Sequence, residues 1–255
     1  MTAALASLQA IYRYPVKGLS PEPLGRARLG VGATIPADRL YAIENGPSGF
    51  DPAAPGYLPK QRFLMLMRNE RLARLATHFD ESSHVLTIRL DGREAVSGDL
   101  RTAPGRGAIE AFFAEYCRDE LRGPPKILSG LDHSFSDVAA KVVSIINLAS
   151  VAALASAIGA PVHPLRFRGN LYVEGWPAWR EFELMGREIS VGAARLKITK
   201  RIVRCAATDV DPDTGMRDLT IPRSLMHSFG HMDCGVYARV VKDGEIAPGD
   251  AIAED

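Results

Sequence analysis

Along most of this chain apolar and polar residues alternate in short runs, and the runs stop at proline or glycine. A period of two places alternate side chains on opposite faces of a strand, so each run predicts a half-buried β-strand. Leu8–Tyr14 is one such run and ends at Pro15, and Leu24–Leu29 is a second and ends at Gly30. Arg39–Ile43 is a third, closed by the turn residues Asn45-Gly46-Pro47. The stretch Pro47–Pro59, rich in Pro, Gly and Ala, predicts a surface loop. Val85–Leu90 runs into Asp91-Gly92, the signature of a hairpin. After a predicted loop over residues 101–107, the period changes. Ile109, Phe112, Phe113 and Tyr116 fall at helical spacing and predict a helix over Ala108–Arg118. Asn147–Ile158 predicts a second helix, with Asn147 or Ser150 as its cap. Strands return at Leu171–Val173, Glu188–Val191, Arg195–Thr199 and Val236–Val241. Many short strands with few helices predict a β-rich α+β fold of barrel-like character. No internal repeat interrupts it, and a soft boundary falls near Gly123-Pro124-Pro125.

Composition narrows the classes without choosing among them. The 255 residues are enough for one large domain or two small ones, and 46% hydrophobic with 24% charged is ordinary for a globular chain. A formal net charge of +1 argues against a whole-surface nucleic-acid or anionic-membrane face, though local basic clusters remain free to bind a small anion. The longest apolar stretch, Val142–Ala160, is broken by Ser144, Asn147, Ser150, Ser156 and Gly159, which predicts a buried helix and no membrane span. The N-terminus lacks the basic and long apolar regions of a signal peptide. Three cysteines, Cys117, Cys205 and Cys234, make a poor disulfide framework and show no CxxC spacing. Reduced thiols in the cytoplasm are the expectation, with electrons for any redox chemistry coming from outside the chain.

Three local constellations carry candidate chemistry. Arg204-Cys205-Ala-Ala-Thr-Asp209-Val-Asp211-Pro-Asp213-Thr-Gly215 sets a thiol beside a cation and ahead of three carboxylates. A neighbouring cation favours the thiolate, the form that binds metal, but a buried and inert cysteine fits the same residues. Arg166-Phe167-Arg168-Gly169-Asn170, read as a strand, puts Arg166, Arg168 and Asn170 on one face, a receptor for phosphate and heterocycle edges or else a solvated edge. Lys17, after Tyr14-Pro15-Val16, lies just beyond a strand end, where a side chain can enter a cleft. Asp38-Arg39 and Gln61-Arg62 mean little alone.

Taken in order, Tyr14-Pro15-Val16-Lys17, Asp38-Arg39, Gln61-Arg62, Arg166-Phe167-Arg168 with Asn170, Arg204-Cys205 and Val210-Asp211-Pro212-Asp213-Thr214-Gly215 resemble the MOSC family, named for the C-terminal domain of molybdenum cofactor sulfurase, together with its usual N-terminal β-barrel partner. The last motif is the most specific and the dipeptides the least, and the resemblance spans nearly the whole chain. It implies an N-terminal β-barrel-like domain over residues 1–123 and a C-terminal MOSC β-barrel with a few helices over 124–255. It also implies molybdenum cofactor as ligand, with Cys205 on the metal and Lys17, Arg39, Arg62, Arg166, Arg168, Asn170, Arg204 and Thr208 around the pterin and its phosphate. A soft thiolate suits such a metal, and arginines suit a phosphate. The chain departs from the pattern at Gly18, Ala37, Gly169, Ile202 and Asp209. At Asp209 relatives usually have threonine, so a carboxylate there is a candidate proton donor or a brace for the turn. The implied activity is that of the amidoxime-reducing members, reduction of N-hydroxylated small molecules with an external electron-donor protein. A cofactor carrier or sulfur-handling protein is the alternative, and a metal-free binding module is a third. No pyridoxal-phosphate-binding segment is recognised.

Overall fold

The protein is described here by a computed structural model covering residues 6–254. The first half of the chain runs β1 (Ser7–Arg13), β2 (Glu22–Leu24), β3 (Ala27–Leu29), β4 (Ala42–Asn45), β5 (Leu75–Phe79), β6 (Val85–Leu90), β7 (Arg93–Asp99), α1 (Ala103–Tyr116) and β8 (Pro125–Leu128). The second half runs β9 (Val143–Asn147), α2 (Leu148–Ile158), β10 (Leu171–Glu174), α3 (Arg180–Glu183), β11 (Glu188–Val191) and β12 (Ala194–Val203). It ends with α4 (Ile221–Phe229), β13 (Asp233–Lys242), β14 (Gly244–Ile246) and β15 (Ile252–Glu254). The fold is β-rich, an N-terminal barrel domain followed by a C-terminal domain with a few helices.

Eight strands form the main sheet in the order β15-β11-β12-β13-β9-β10-β1-β2. Its centre is β9, whose five residues are all buried because both faces are covered. Ile145 packs into a cluster with Leu8, Leu196, Val236 and Val240, while its neighbour Ile146 faces a cluster with Val151, Leu154 and Leu225 of α2 and α4. The strand β9 pairs parallel with β10, and α2 makes the crossover that a parallel pair requires. Asn147 starts that helix by accepting the Ala149 N–H at 3.0 Å. The N-terminal strand β1 pairs antiparallel with β10, so the first residues of the chain complete a sheet built by its second half. A separate core unites Leu64, Leu72, Leu86, Ile88, Ile109 and Phe113 under the meander β5-β6-β7 and α1. No helix among the described residues is long and apolar enough to cross a membrane.

Several expectations need correction. The run Leu24–Leu29 splits at Gly25-Arg26 into β2 and β3, which join different sheets. Arg39 has φ 51°, so the strand expected from Arg39 starts only at Ala42. The helix expected from Ala108 begins at Ala103: Thr102 Oγ1 accepts the Gly105 N–H at 3.1 Å, and Pro104 sits in the first turn, where its missing N–H costs nothing. The segment around Arg166 is no strand. Pro164–Phe167 forms a 3-10 turn, started by His163 Nδ1 accepting the Leu165 N–H at 3.1 Å, and Arg168 follows in the left-handed region at φ 49°.

Candidate functional site

Cys205 lies just past the end of β12, where the strand turns into a 3-10 segment over Ala206–Asp209. Thr208 is buried and fixes this turn, giving Cys205 O two hydrogen bonds, from its N–H at 3.0 Å and from its hydroxyl at 2.9 Å. The Cys205 thiol is half-buried and opens onto a cleft of about 250 Å³. Cys117 and Cys234 are fully buried, and burial pushes both thiols up to about 12. Only Cys205, among the three, combines access with a polar setting.

The cation beside this thiol is not the one adjacent in sequence. Arg204 turns away and clamps backbone: its Nη1 donates to Phe167 O at 2.8 Å and its Nε to Cys234 O at 2.7 Å. That clamp ties the turn at 164–168 and strand β13 to the residue before the thiol. The charge comes instead from Lys60, whose Nζ donates to Cys205 Sγ at 3.2 Å from 145 positions away. Burial works against the charge on Lys60, but the Cys205 sulfur and the Asp137 carboxylate outweigh it and raise its pKa. Lys60 was missed in the sequence, although the neighbouring Gln61-Arg62 pair marks the segment. Arg62 itself is exposed and does not line the cleft.

Two arginines of the same cleft flank one ring. The Arg39 and Arg168 guanidiniums lie 4.6 and 4.3 Å from the centroid of the fully buried Tyr14. Arg39 is paired with Asp38 and donates to Arg168 O at 3.1 Å, while Asp38 also accepts the Tyr14 N–H at 2.8 Å. Arg168, among the described residues, has no side-chain hydrogen bond and no ion pair. Burial, and then the charge of Arg39, push its pKa down. It lies on the cleft wall against the Tyr14 ring, with no carboxylate in salt-bridge contact among the described residues. Lys17 is buried, donates to Phe135 O at 2.8 Å and pairs with Asp137; burial pushes its pKa down against the pull of that carboxylate.

The other expected residues have structural partners. Arg166 borders the cleft, but it is paired with Asp211 at 2.9 Å and Asp218 at 2.7 Å and donates to Asp209 O at 3.0 Å. Asp211 in turn accepts the N–H groups of Asp213 and Thr214, so the Asp-Pro-Asp-Thr-Gly motif is a latch on Arg166. Arg166 and Arg168 therefore do not form the paired strand face expected of them. Asn170 is on the cleft wall with its amide satisfied, accepting from Ser144 Oγ at 2.8 Å and donating to Tyr12 O at 3.1 Å.

Asp209 does not line the cleft. Its Oδ1 accepts the Ile221 N–H at 2.7 Å and so caps α4, whose own N-cap Thr220 gives no side-chain bond. Asp209 thus sits outside the cleft and braces α4, whereas the turn at Asp213 and Thr214 is held by Asp211. Burial raises its carboxyl pKa, ahead of the opposing hydrogen bond and arginines. With the folded pKa above the unfolded one, the folded state binds the extra proton, so this group's contribution to stability is fully present below the unfolded pKa and is lost as pH rises through the folded one. Asp209→Asn keeps an acceptor for Ile221 and removes that titration. The variant should lose the Asp209 share of this decline, seen by following unfolding from acid to neutral pH, and should leave any pH–rate profile unchanged. A missing ionisation in the rate profile would show the brace reading to be wrong.

Residues 130–253 match the MOSC domain family, and residues 5–117 match the MOSC N-terminal beta barrel domain. Over 122 residues the chain is 30% identical to mitochondrial amidoxime reducing component 2 of Bos taurus. That match covers 43% of this chain, and the chain spans only 36% of that relative's length. Among solved structures it is similar to the YUAD protein from Bacillus subtilis, with a TM-score of 0.44 and 13% identity over 97% of this chain and 93% of that one. It is also similar to YiiM from Geobacillus stearothermophilus, with a TM-score of 0.35 and 19% identity over 44% of this chain and 53% of that one.

Proposed function

Because this chain belongs to the MOSC family, carrying the MOSC N-terminal beta barrel domain and the MOSC domain in sequence, we propose that it holds molybdenum cofactor in the cleft beside Cys205 and reduces N-hydroxylated small molecules there. The observation that carries the reading is the meeting, in one cleft, of an accessible thiol contacted by Lys60 and an Arg168 guanidinium with no salt-bridge partner among the described residues.

The donor set suits the group. Among the described residues no cluster of three or more His, Cys, Asp or Glu can hold a bare ion. A metal held by one protein thiol must bring its other ligands with it, as a pterin dithiolene does. The cofactor's phosphate is a dianion, and Arg168, Lys17 and Arg39, which line the same cleft, would hold it through charge-assisted hydrogen bonds. When bound, the cofactor supplies a two-electron couple able to accept an oxygen atom.

The chain's own residues bind and orient. Arg204, by holding Phe167 O and Cys234 O, fixes the backbone from which the Cys205 thiol points. Lys60 keeps a positive charge against that sulfur. Reduction of an amidoxime to an amidine consumes two electrons and two protons and releases water. An external electron-donor protein supplies the electrons in this reading.

Protein purified from a cofactor-competent host should contain close to one molybdenum per chain by elemental analysis. With a chemical reductant it should convert an amidoxime to the amidine. Metal without turnover would leave a cofactor carrier, and absence of metal would overturn the reading.

A further inference from the structure

The cleft contains a carboxylate that the proposed chemistry does not use. Asp137 lies in the segment between β8 and β9, and that segment is anchored two residues earlier. Phe135 is buried against Phe50 and Phe63, with ring centroids 5.0 and 5.5 Å away, and its N–H donates to Arg39 O at 2.8 Å. Ser134 Oγ donates to Asp38 O at 3.0 Å. From this anchor Asp137 reaches over Lys17 and pairs with its ammonium. The Lys17 side chain is 7% exposed and that of Asp137 51%, so the carboxylate covers the lysine from the solvent side. Burial works against its charge, but Lys17, then Lys60 and Arg39, hold its carboxyl well below the usual range.

Asp38 is the other carboxylate on the cleft wall, and it is not free to move. Its side chain is 2% exposed and is committed to Arg39 and to the Tyr14 N–H. Asp137 packs against no core cluster and has open solvent on one side.

Several cations share this cleft, and Lys17 is nearly out of water. An unpaired ammonium there is costly, and a second negative group beside a bound dianion is also unfavourable. We propose that Asp137 is a built-in stand-in for the ligand's phosphate: its carboxylate compensates Lys17 while the cleft is empty and turns out to solvent when an oxyanion binds. The proposal rests on reading the cleft as the cradle of the cofactor phosphate, and it identifies which internal contact the incoming anion replaces.

The test uses inorganic phosphate and metal-free full-length protein, titrated calorimetrically at one low ionic strength. Asp137→Asn keeps the size and still accepts a hydrogen bond from Lys17, but removes the competing charge. It should bind phosphate about tenfold more tightly than the parent, the scale expected for one fewer nearby negative charge under partial solvent screening. Asp137→Glu should bind like the parent. Equal or weaker binding by Asp137→Asn, or no phosphate binding by either protein, would overturn the proposal. Arg168→Ala tests the underlying reading separately and should weaken phosphate binding. If Arg168→Ala binds like the parent while Asp137→Asn still gains, the stand-in role holds and the placing of the cofactor phosphate beside Arg168 fails.

Discussion

Cys205→Ala is expected to lose essentially all bound molybdenum and to lower any reductase turnover by at least about a hundredfold, the scale seen when support for a metal ligand is removed. Its fold should be unaffected. The thiol is half-buried at the cleft and belongs to none of the apolar clusters, so its removal leaves no cavity in a core. The backbone turn around it is held by Thr208 and Arg204 through carbonyl oxygens, and an alanine keeps those bonds. Unfolding should therefore shift by less than about 1 kcal/mol, as for other substitutions away from a packed core. Cys117→Ala and Cys234→Ala should behave in the opposite way. Both thiols are fully buried, so truncation should cost on the order of 1 kcal/mol of stability and leave the metal in place. Elemental analysis and thermal unfolding of the three variants, side by side, separate the roles. Full metal content and activity in Cys205→Ala would remove the basis for the proposed site.

How much of this was legible in the sequence depended on how local each determinant is. Strands β1, β6, β10 and β11 are close to their expected bounds because alternation and a nearby turn residue specify them within a few positions. The start of α2 at Asn147 was legible for the same reason, since the cap is one residue from the helix. Helix α4 was missed because its cap comes from Asp209, twelve positions upstream through a turn, and no local cap marks Thr220. The Arg-Phe-Arg segment alternates like a strand. A buried guanidinium needs carboxylates, however, and the latch from Asp211 and Asp218 favours the compact turn in which Arg166 reaches both. In the cleft, sequence order identified the thiol but not the cation beside it. Adjacency pointed to Arg204, whereas folding brings Lys60 from the first half of the chain to the sulfur. The cradle around Tyr14 was visible only as separate dipeptides, because it depends on Arg39 and Arg168 both adopting positive φ.

The largest stability loss is expected from Gly235→Ala, at a bulge of the main sheet. Strand β13 carries an extra residue against β12 between the pairs Arg201–Val236 and Val203–Asp233, a bulge, and Gly235 takes φ +78° within it. That bulge is what brings the Cys234 carbonyl to the Arg204 guanidinium, and Arg204 sets the position of Cys205. A Cβ at Gly235 would lie 2.5 Å from Ile145 O and 2.7 Å from Ile146 Cδ1, both on the central strand β9, with Arg204 Nη2 at 3.2 Å. The carbonyl cannot yield without breaking the sheet. The left-handed conformation adds about 1–2 kcal/mol for any residue with a Cβ. Together the substitution should cost at least about 3 kcal/mol, within reach of unfolding a domain of ordinary stability. Gly159→Ala is the control: Gly159 ends α2 at φ +73°, and a Cβ there meets nothing within 4 Å, so it carries the conformational cost alone. Urea denaturation midpoints of the two variants should differ by the equivalent of about 2 kcal/mol or more, with a common slope. If the two midpoints coincide, the close approach of β9 to the bulge is not what holds Arg204, and the path from β13 to the thiol would have to run through Phe167 alone.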